Sequence, residues 1–392
     1  MRSVASVPLV VWAILALALG LRLIVVNYGL PQELYPEEEV HAKAALHMIE
    51  RTTLDPAWYG HPASTLIDGL AGLYAAYGLI GVLTGSLDSV SGVANQYRAD
   101  VSDFFLIGRI YTALVGVAVI LMTYVLAREL RISVFWSATA ALLLALSALV
   151  IRYASVVRVD MLQILFLLLV TFIMVRALSR PTAWGFILAG ACLGLAVASK
   201  YPGIVGVVPI IAAATMLAAE RRIAVRQAVL WLVLAAAASL VAAFVVAPYL
   251  FLNLGGVIDS IAHEGRTEHL GATSEGIVAS LWAYLTRALP EALGPIAAVL
   301  GVVGAAVMLA TRRARLPALF FWAYLLFISV LSLWWVRWVL PLVPIAAIGA
   351  VFLLDSLDRR WSGRLQGRWP LVVRLAVVAV RKRAHDPRRL VS

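Results

Sequence analysis

Cysteine is all but missing from this chain. Cys192 is the only one among 392 residues. It sits inside an apolar run, which excludes an internal disulfide and argues against a thiol-ligated metal centre. Charge is scarce too: Asp, Glu, Lys and Arg together make up 14% of the residues, against about 25% in an ordinary soluble domain. That deficit excludes a water-soluble globular class. Internal repeats and low-complexity tracts are also lacking, so solenoid and disordered architectures drop out.

Apolar sequence dominates instead. Hydrophobic residues reach 63%, the mean hydropathy is +0.94, and apolar runs near span length recur throughout, the pattern of a polytopic membrane protein. The first run, Val7–Val26, is too long for a signal-peptide core and is not followed by a small-residue cleavage site, so it is expected to stay attached. The net charge of +11 raises nucleic acid as a partner, but its distribution argues against one. From Asp355 onward there are ten Lys/Arg against three Asp/Glu, and the other arginines cluster in short loops between apolar runs. That is the positive-inside pattern of a chain beside anionic lipid.

Those basic loops set a parity. Arg128/Arg131, Arg176/Arg180, Arg221/Arg222/Arg226, Arg312/Arg313/Arg315 and the stretch from Arg359 all face the cytosol if the segments between them cross in pairs. Ten spans result, with both termini cytoplasmic and the protein in the inner membrane. The apolar segment Ala63–Gly85 breaks the parity if it crosses, so it is expected to lie on the outer face as a juxtamembrane helix. The expected organisation is a membrane-embedded domain over 1–354 with a first outer loop at 29–62 and a helix at 63–85. A basic cytoplasmic tail follows over 355–392. The run Leu371–Val380, interrupted by Arg374, is expected to be interfacial.

Under this topology the chemistry-bearing residues converge on one face. Glu37, Glu38 and Glu39 open a helix after Pro36, close in sequence to His41 and His61. Capping and the helix dipole account for one or two of them, and a carboxylate there is suited to deprotonating an acceptor hydroxyl. Arg158 and Asp160 share a short outer turn, where an ion pair is the simplest role; an acid at the mouth of a span must otherwise face water or a partner. Lys200, followed by Tyr201 and Pro202, interrupts two short apolar runs, where it either snorkels or binds phosphate. Arg337 in WWVRWVLP poses the same choice between interfacial belt and phosphate contact. Arg109 opens a span on the same face. His263, in the longest outer loop, is a candidate acceptor contact, and no spacing there resembles a zinc site.

The order of these motifs resembles a known family. After the first span come PEE, WYGHP, an Arg-initiated span ending in ARELR, ALSALVIRYASVVRVD, GLAVASKYPG, APYLFLN and RWVLPLVP. This looks like the glycosyltransferase C superfamily, in particular the dolichyl-phosphate-mannose-protein mannosyltransferase-like group (family 39 type, related to aminoarabinose transferases), over about Val7 to Leu354. The resemblance implies an all-α membrane fold of about ten spans with outer-face juxtamembrane helices. It also implies an inverting glycosyltransferase that takes a sugar from a polyprenyl-phosphate donor on the extracytoplasmic face. The acceptor hydroxyl would belong to a protein, a glycolipid or a wall polymer. Members place an acid in the first outer loop, usually Asp followed by Glu, where this chain has Glu37 and Glu38; the longer side chain puts the geometry in question. Asp160 matches the second acid, His61 and Pro62 the HP element, Lys200 the basic residue between short spans, and Arg337 a late arginine near the carrier phosphate. Arg109 is assigned with Lys200 and Arg337 to the phosphate; His61, Arg158, Tyr201 and His263 are assigned to substrate. Some members need a metal, so a divalent ion near Asp160 stays open. Many members continue through more spans or a soluble outer domain, so an inactive or truncated scaffold is one alternative; a lipid-linked-sugar flippase is another. An Ala-, Arg- and Val-rich composition favours a bacterial carrier over dolichol.

Overall fold

The computed structural model describes residues 7–32 and 34–365; the run Leu371–Val380 lies outside them. The described chain is helical with no strand, only one isolated bridge between Thr273 and Leu333. The helices are α1 (Leu9–Leu23), α2 (Pro36–Arg51), α3 (Ser64–Leu83), α4 (Val93–Ala99), α5 (Ser102–Glu129), α6 (Val134–Leu146), α7 (Ala148–Ala154), α8 (Asp160–Ala177) and α9 (Ala183–Ser199). They continue with α10 (Val207–Ala219), α11 (Val225–Val246), α12 (Tyr249–Leu252), α13 (Leu254–Glu264), α14 (Ile277–Ala283), α15 (Leu289–Leu293), α16 (Pro295–Met308), α17 (Arg315–Val330) and α18 (Val343–Leu365).

Length and apolarity qualify six described helices as spans, or eight if each of two bent pairs counts as one. The bends are 62° between α6 and α7 and 119° where α15 meets α16, the latter at Gly294 with φ +78°, a backbone state that costs glycine little. Three shorter apolar helices, α1, α9 and α17, complete the bundle. The candidate passes of this multi-pass membrane protein then number eleven, or ten if α3 is the expected juxtamembrane helix.

Helix boundaries follow local chemistry. Ser133, Ser147 and Thr182 cap α6, α7 and α9 by accepting from Trp136, Val150 and Gly185 backbone N–H groups. The closest packing comes from missing side chains. A Cβ on Gly304 would run into the Gly349 carbonyl, and one on Gly190 into that of Ala235, so α16 meets α18 and α9 meets α11 backbone to backbone.

The basic turns gather at one end of the bundle. Arg359 donates to the Arg131 carbonyl at 2.5 Å, and Arg222 to that of Leu178. Arg312 pairs with Glu220, and Arg313 lies 3.7 Å from Glu129. The carboxylates of the first loop lie at the opposite end. The start and the middle of α3 both make contacts at that opposite end. Ala63 N–H donates to Ser199 at the end of α9 (3.0 Å), while Tyr74 and Tyr77 donate to Phe104 and Asp103 at the start of α5. The last helix continues past residue 354, where the basic tail is expected to begin. α18 runs on to Leu365, because Asp355 is buried beneath the Ser133 N–H (3.3 Å) and pairs with Arg359 one turn on.

Candidate active site

α2 builds the site from its first turn. Pro36 occupies the first helical position, where its missing N–H costs nothing. Glu37, Glu38 and Glu39 then point in three directions, about 100° apart. Glu38 faces inward with His41, Ala42 and Ala45, Glu39 pairs with Lys43 on the surface, and Glu37 is half-buried at the flank.

Glu38 is fully buried and fully occupied. Arg109 of α5 donates to it through Nε at 2.9 Å and Nη2 at 2.6 Å, and the Val157 N–H adds a third bond at 2.8 Å. Nη1 of Arg109 is spent on the Val26 and Tyr28 carbonyls, at 2.6 and 3.0 Å. This fork ties α2, α5, the end of α1 and the turn before α8 together. All three of Arg109's nitrogens are thus engaged within the protein.

Glu37 begins a different arrangement. Its Oε2 pairs with Arg158, and its Oε1 lies 3.4 Å from Nη2 of Arg337. Arg158 Nε donates to Asp160 Oδ2 at 3.1 Å, and Lys200 Nζ donates to Asp160 Oδ1 at 2.9 Å. The result is one alternating row, Arg337–Glu37–Arg158–Asp160–Lys200, drawn from four separate parts of the chain. Asp160 is buried at the first position of α8, Lys200 is buried at the break after α9, and Arg337 is 20% exposed on a short 3-10 turn before α18. Gln163 reaches the Lys200 carbonyl from α8 at 3.3 Å. Burial pushes the Lys200 ammonium below its ordinary value, opposed by Asp160.

A histidine pair borders the row. His41 Nδ1 lies 3.1 Å from the Val157 carbonyl, while its Nε2 is buried without a partner. His61 and Trp58 stack edge-to-face at 4.6 Å, and both rings lie 5.7 Å from His41. Burial holds His41 down to about 4 and, with help from Lys200, keeps His61 well below the usual histidine range. Both rings are therefore neutral at physiological pH. Tyr201 donates to the Tyr59 carbonyl at 2.9 Å; the Tyr59 hydroxyl in turn donates to Asp55 and accepts from Asn253. His263 is exposed on α13 and does not join the row; Glu264, beside it, is the residue whose carboxylate approaches Gly60.

Sequence reasoning missed Asp55, Tyr59, Gln163 and Asn253. Residue spacing carried no signal for them, since Tyr59 and Asn253 meet across 194 positions. The division of labour between Glu37 and Glu38 did leave a signal. Glu38, His41, Ala42 and Ala45 form the i, i+3, i+4, i+7 pattern of a buried helix face.

The row carries three cations and two carboxylates, and Arg337 Nε is buried without a partner. Its guanidinium stacks on Trp335 at 4.5 Å, leaving its edge available for an anion. A divalent cation does not fit. All four oxygens of Glu37 and Asp160 face cationic side chains, and no metal-holding group of three His, Cys, Asp or Glu occurs among the described residues. A largely apolar cavity of about 350 Å³ adjoins Arg109, between Val25, Tyr28, Ile151 and Val156, with Arg152 also in its lining.

Comparison with known proteins places this geometry in context. Residues 14–257 match the family described as dolichyl-phosphate-mannose-protein mannosyltransferase. No curated protein sequence matches the chain. Among solved structures, ArnT from Cupriavidus metallidurans bound to undecaprenyl phosphate is similar, with a TM-score of 0.57 and 19% identity. The likeness covers 94% of this chain and 63% of that one. The archaeal oligosaccharyltransferase AglB from Archaeoglobus fulgidus, in complex with an inhibitory peptide and a dolichol-phosphate, gives a TM-score of 0.55 at 14% identity. There the coverage is 94% of this chain and 54% of that one. The chain thus spans less than two thirds of either structure's length.

Proposed function

The chain belongs to the dolichyl-phosphate-mannose-protein mannosyltransferase family, and from that premise we propose that it is an inverting glycosyltransferase. It takes a sugar from a polyprenyl-phosphate carrier and passes it to an acceptor hydroxyl on a protein, glycolipid or wall polymer. The observation that carries this reading is the row Arg337–Glu37–Arg158–Asp160–Lys200, which sets a half-exposed carboxylate beside an excess of cations.

Glu37 accepts the proton of the acceptor hydroxyl. The oxygen attacks the anomeric carbon, and the bond from that carbon to the carrier phosphate breaks with inversion. Arg337 and Lys200 stabilise the negative charge that grows on the departing prenyl phosphate. Asp160 acts as a positioning residue that holds Lys200 and Arg158, since both its oxygens are engaged. Glu38 and Arg109 drop out of the chemistry and serve as the strut beneath it, because their polar atoms are already bonded to one another and to backbone. The cavity beside Arg109 suits the first isoprene units of the carrier. The clustering of basic turns at the opposite end supports a site facing outward from the inner membrane, with α3 lying at the outer surface.

The test is transfer of radiolabelled sugar from polyprenyl-phosphate-linked mannose, aminoarabinose and galactose into membranes containing wild type, Glu37→Ala or Asp160→Asn. Label incorporated from one donor by wild type and lost in both variants supports the reading. Equal label in all three proteins, or none from any donor, refutes it.

A further inference from the structure

α2 has a second recess on the side away from its buried face. With the loop at Pro56–Trp58 and α4 it encloses a cavity of about 490 Å³. The side chains that give it character are Lys43, His47, Glu50, Trp58, Tyr97 and Arg98, none of them part of the row around Glu37. The charges there are balanced. Arg98 donates to Glu50 at 2.5 Å, and Lys43 pairs with Glu39. An anionic headgroup or a strongly basic peptide therefore finds no complementary field. What the rim does present is N–H donors next to carboxylate acceptors, the pairing that adjacent hydroxyls satisfy, since each hydroxyl both donates and accepts. Trp58 and Tyr97 supply the aromatic walls, large apolar faces with a polar edge, against which the C–H face of a pyranose ring can pack.

The recess also lies next to the reacting groups. Trp58 forms the partition, with one side toward the cavity and its edge against His61 at 4.6 Å. Along α2, Val40 and Ala44 of the lining stand three and seven residues after Glu37, on the same side of the helix. The rise from Glu37 to Val40 is about 4.5 Å, roughly the length of one sugar residue.

We propose that this recess is the acceptor subsite and that it holds a neutral saccharide whose reacting end extends along α2 to Glu37. The acceptor assignment rests on the transferase reading above, whereas binding in the recess can be measured without turnover. The experiment places the full chain in lipid nanodiscs free of sugar detergents. Saturation-transfer difference NMR then compares mannobiose and galactobiose with mannose 6-phosphate and a Ser/Thr-rich peptide. A neutral disaccharide should receive saturation, and its binding should weaken roughly tenfold in Arg98→Gln and in Trp58→Ala, the loss of one charge-assisted bond or one stacking wall. Because Trp58 also packs on the histidines, the exposed Arg98 carries the decisive arm if Trp58→Ala fails to fold. No saturation of either disaccharide, tighter binding of the phosphate or the peptide, or affinity unchanged by Arg98→Gln would overturn the proposal. Absent binding beside intact Glu37-dependent transfer refutes the subsite alone. Intact binding with no transfer from any lipid-linked sugar refutes the acceptor role.

Discussion

Removing Glu38 while leaving Arg109 in place should be among the most damaging single changes in the protein. Glu38→Ala strips the guanidinium of both carboxylate contacts and leaves the Val157 N–H without its acceptor. Both side chains are buried, at 0% and 1% exposure, so solvent cannot make up the loss. Breaking such a pair from one side costs about 3–5 kcal/mol. The two bonds from Arg109 Nη1 to the Val26 and Tyr28 carbonyls survive, which keeps the cost within that range. Replacing both partners, as in Glu38→Leu with Arg109→Met, removes the orphaned charge and should recover most of the stability. The assay is equilibrium unfolding in mixed micelles of wild type, the two single variants and the double variant. The expected coupling energy is on the order of 3 kcal/mol. Additive losses, or a Glu38→Ala cost below about 1 kcal/mol, would refute the view that this fork is a buried strut.

Acid should destabilise the protein through His41. Its folded value of about 4 lies below the ordinary 6.5, so the unfolded chain binds the proton more readily. The stability that the neutral ring contributes is complete above about pH 6.5 and is lost as pH falls toward 4. The maximum loss is about 3 kcal/mol, and a wild type no more acid-sensitive than His41→Phe in unfolding titrations would contradict it. Arg337→Gln should lower kcat/KM for the lipid-linked donor by roughly ten- to a hundredfold, the worth of one charged hydrogen bond; steady-state kinetics unchanged in donor would remove Arg337 from the phosphate. Gly304→Val should force α16 away from the Gly349 carbonyl on α18 and cost about 1–3 kcal/mol. Thermal unfolding equal to wild type would show that the two backbones are not in contact.

How far the sequence could be read depended on the range of the signal. In a chain with so little charge, each ionisable residue has to be placed, and the parity of the basic loops alone sorts Glu37, Asp160, Lys200 and Arg337 onto one end. Length and apolarity alone make α3 a candidate span; the parity of the basic loops argues otherwise, and its Tyr74 and Tyr77 bond to the start of α5. The pairing of Glu38 with Arg109 crosses 71 positions and could not be inferred from spacing, so the sequence gives no hint that the two hold one another. The helical run past residue 354 was not legible from hydropathy, for a local reason. Asp355 and Arg359 are one turn apart, and such a pair extends a helix beyond the end of its apolar run.

The row of charges also has a provenance. Glu37, Arg158, Asp160 and Lys200 all lie within the stretch 14–257 that matches the family, whereas Arg337 enters from beyond it. The two portions meet between Glu37 Oε1 and the Arg337 guanidinium. A hybrid that kept residues 1–257 and took the remainder from a relative would keep four members of the row and exchange the fifth, the arginine opposite Glu37, together with the helices that carry it. Under the proposed roles, carrier preference is then separable, by recombination or in the laboratory, from the half of the protein that holds Glu37.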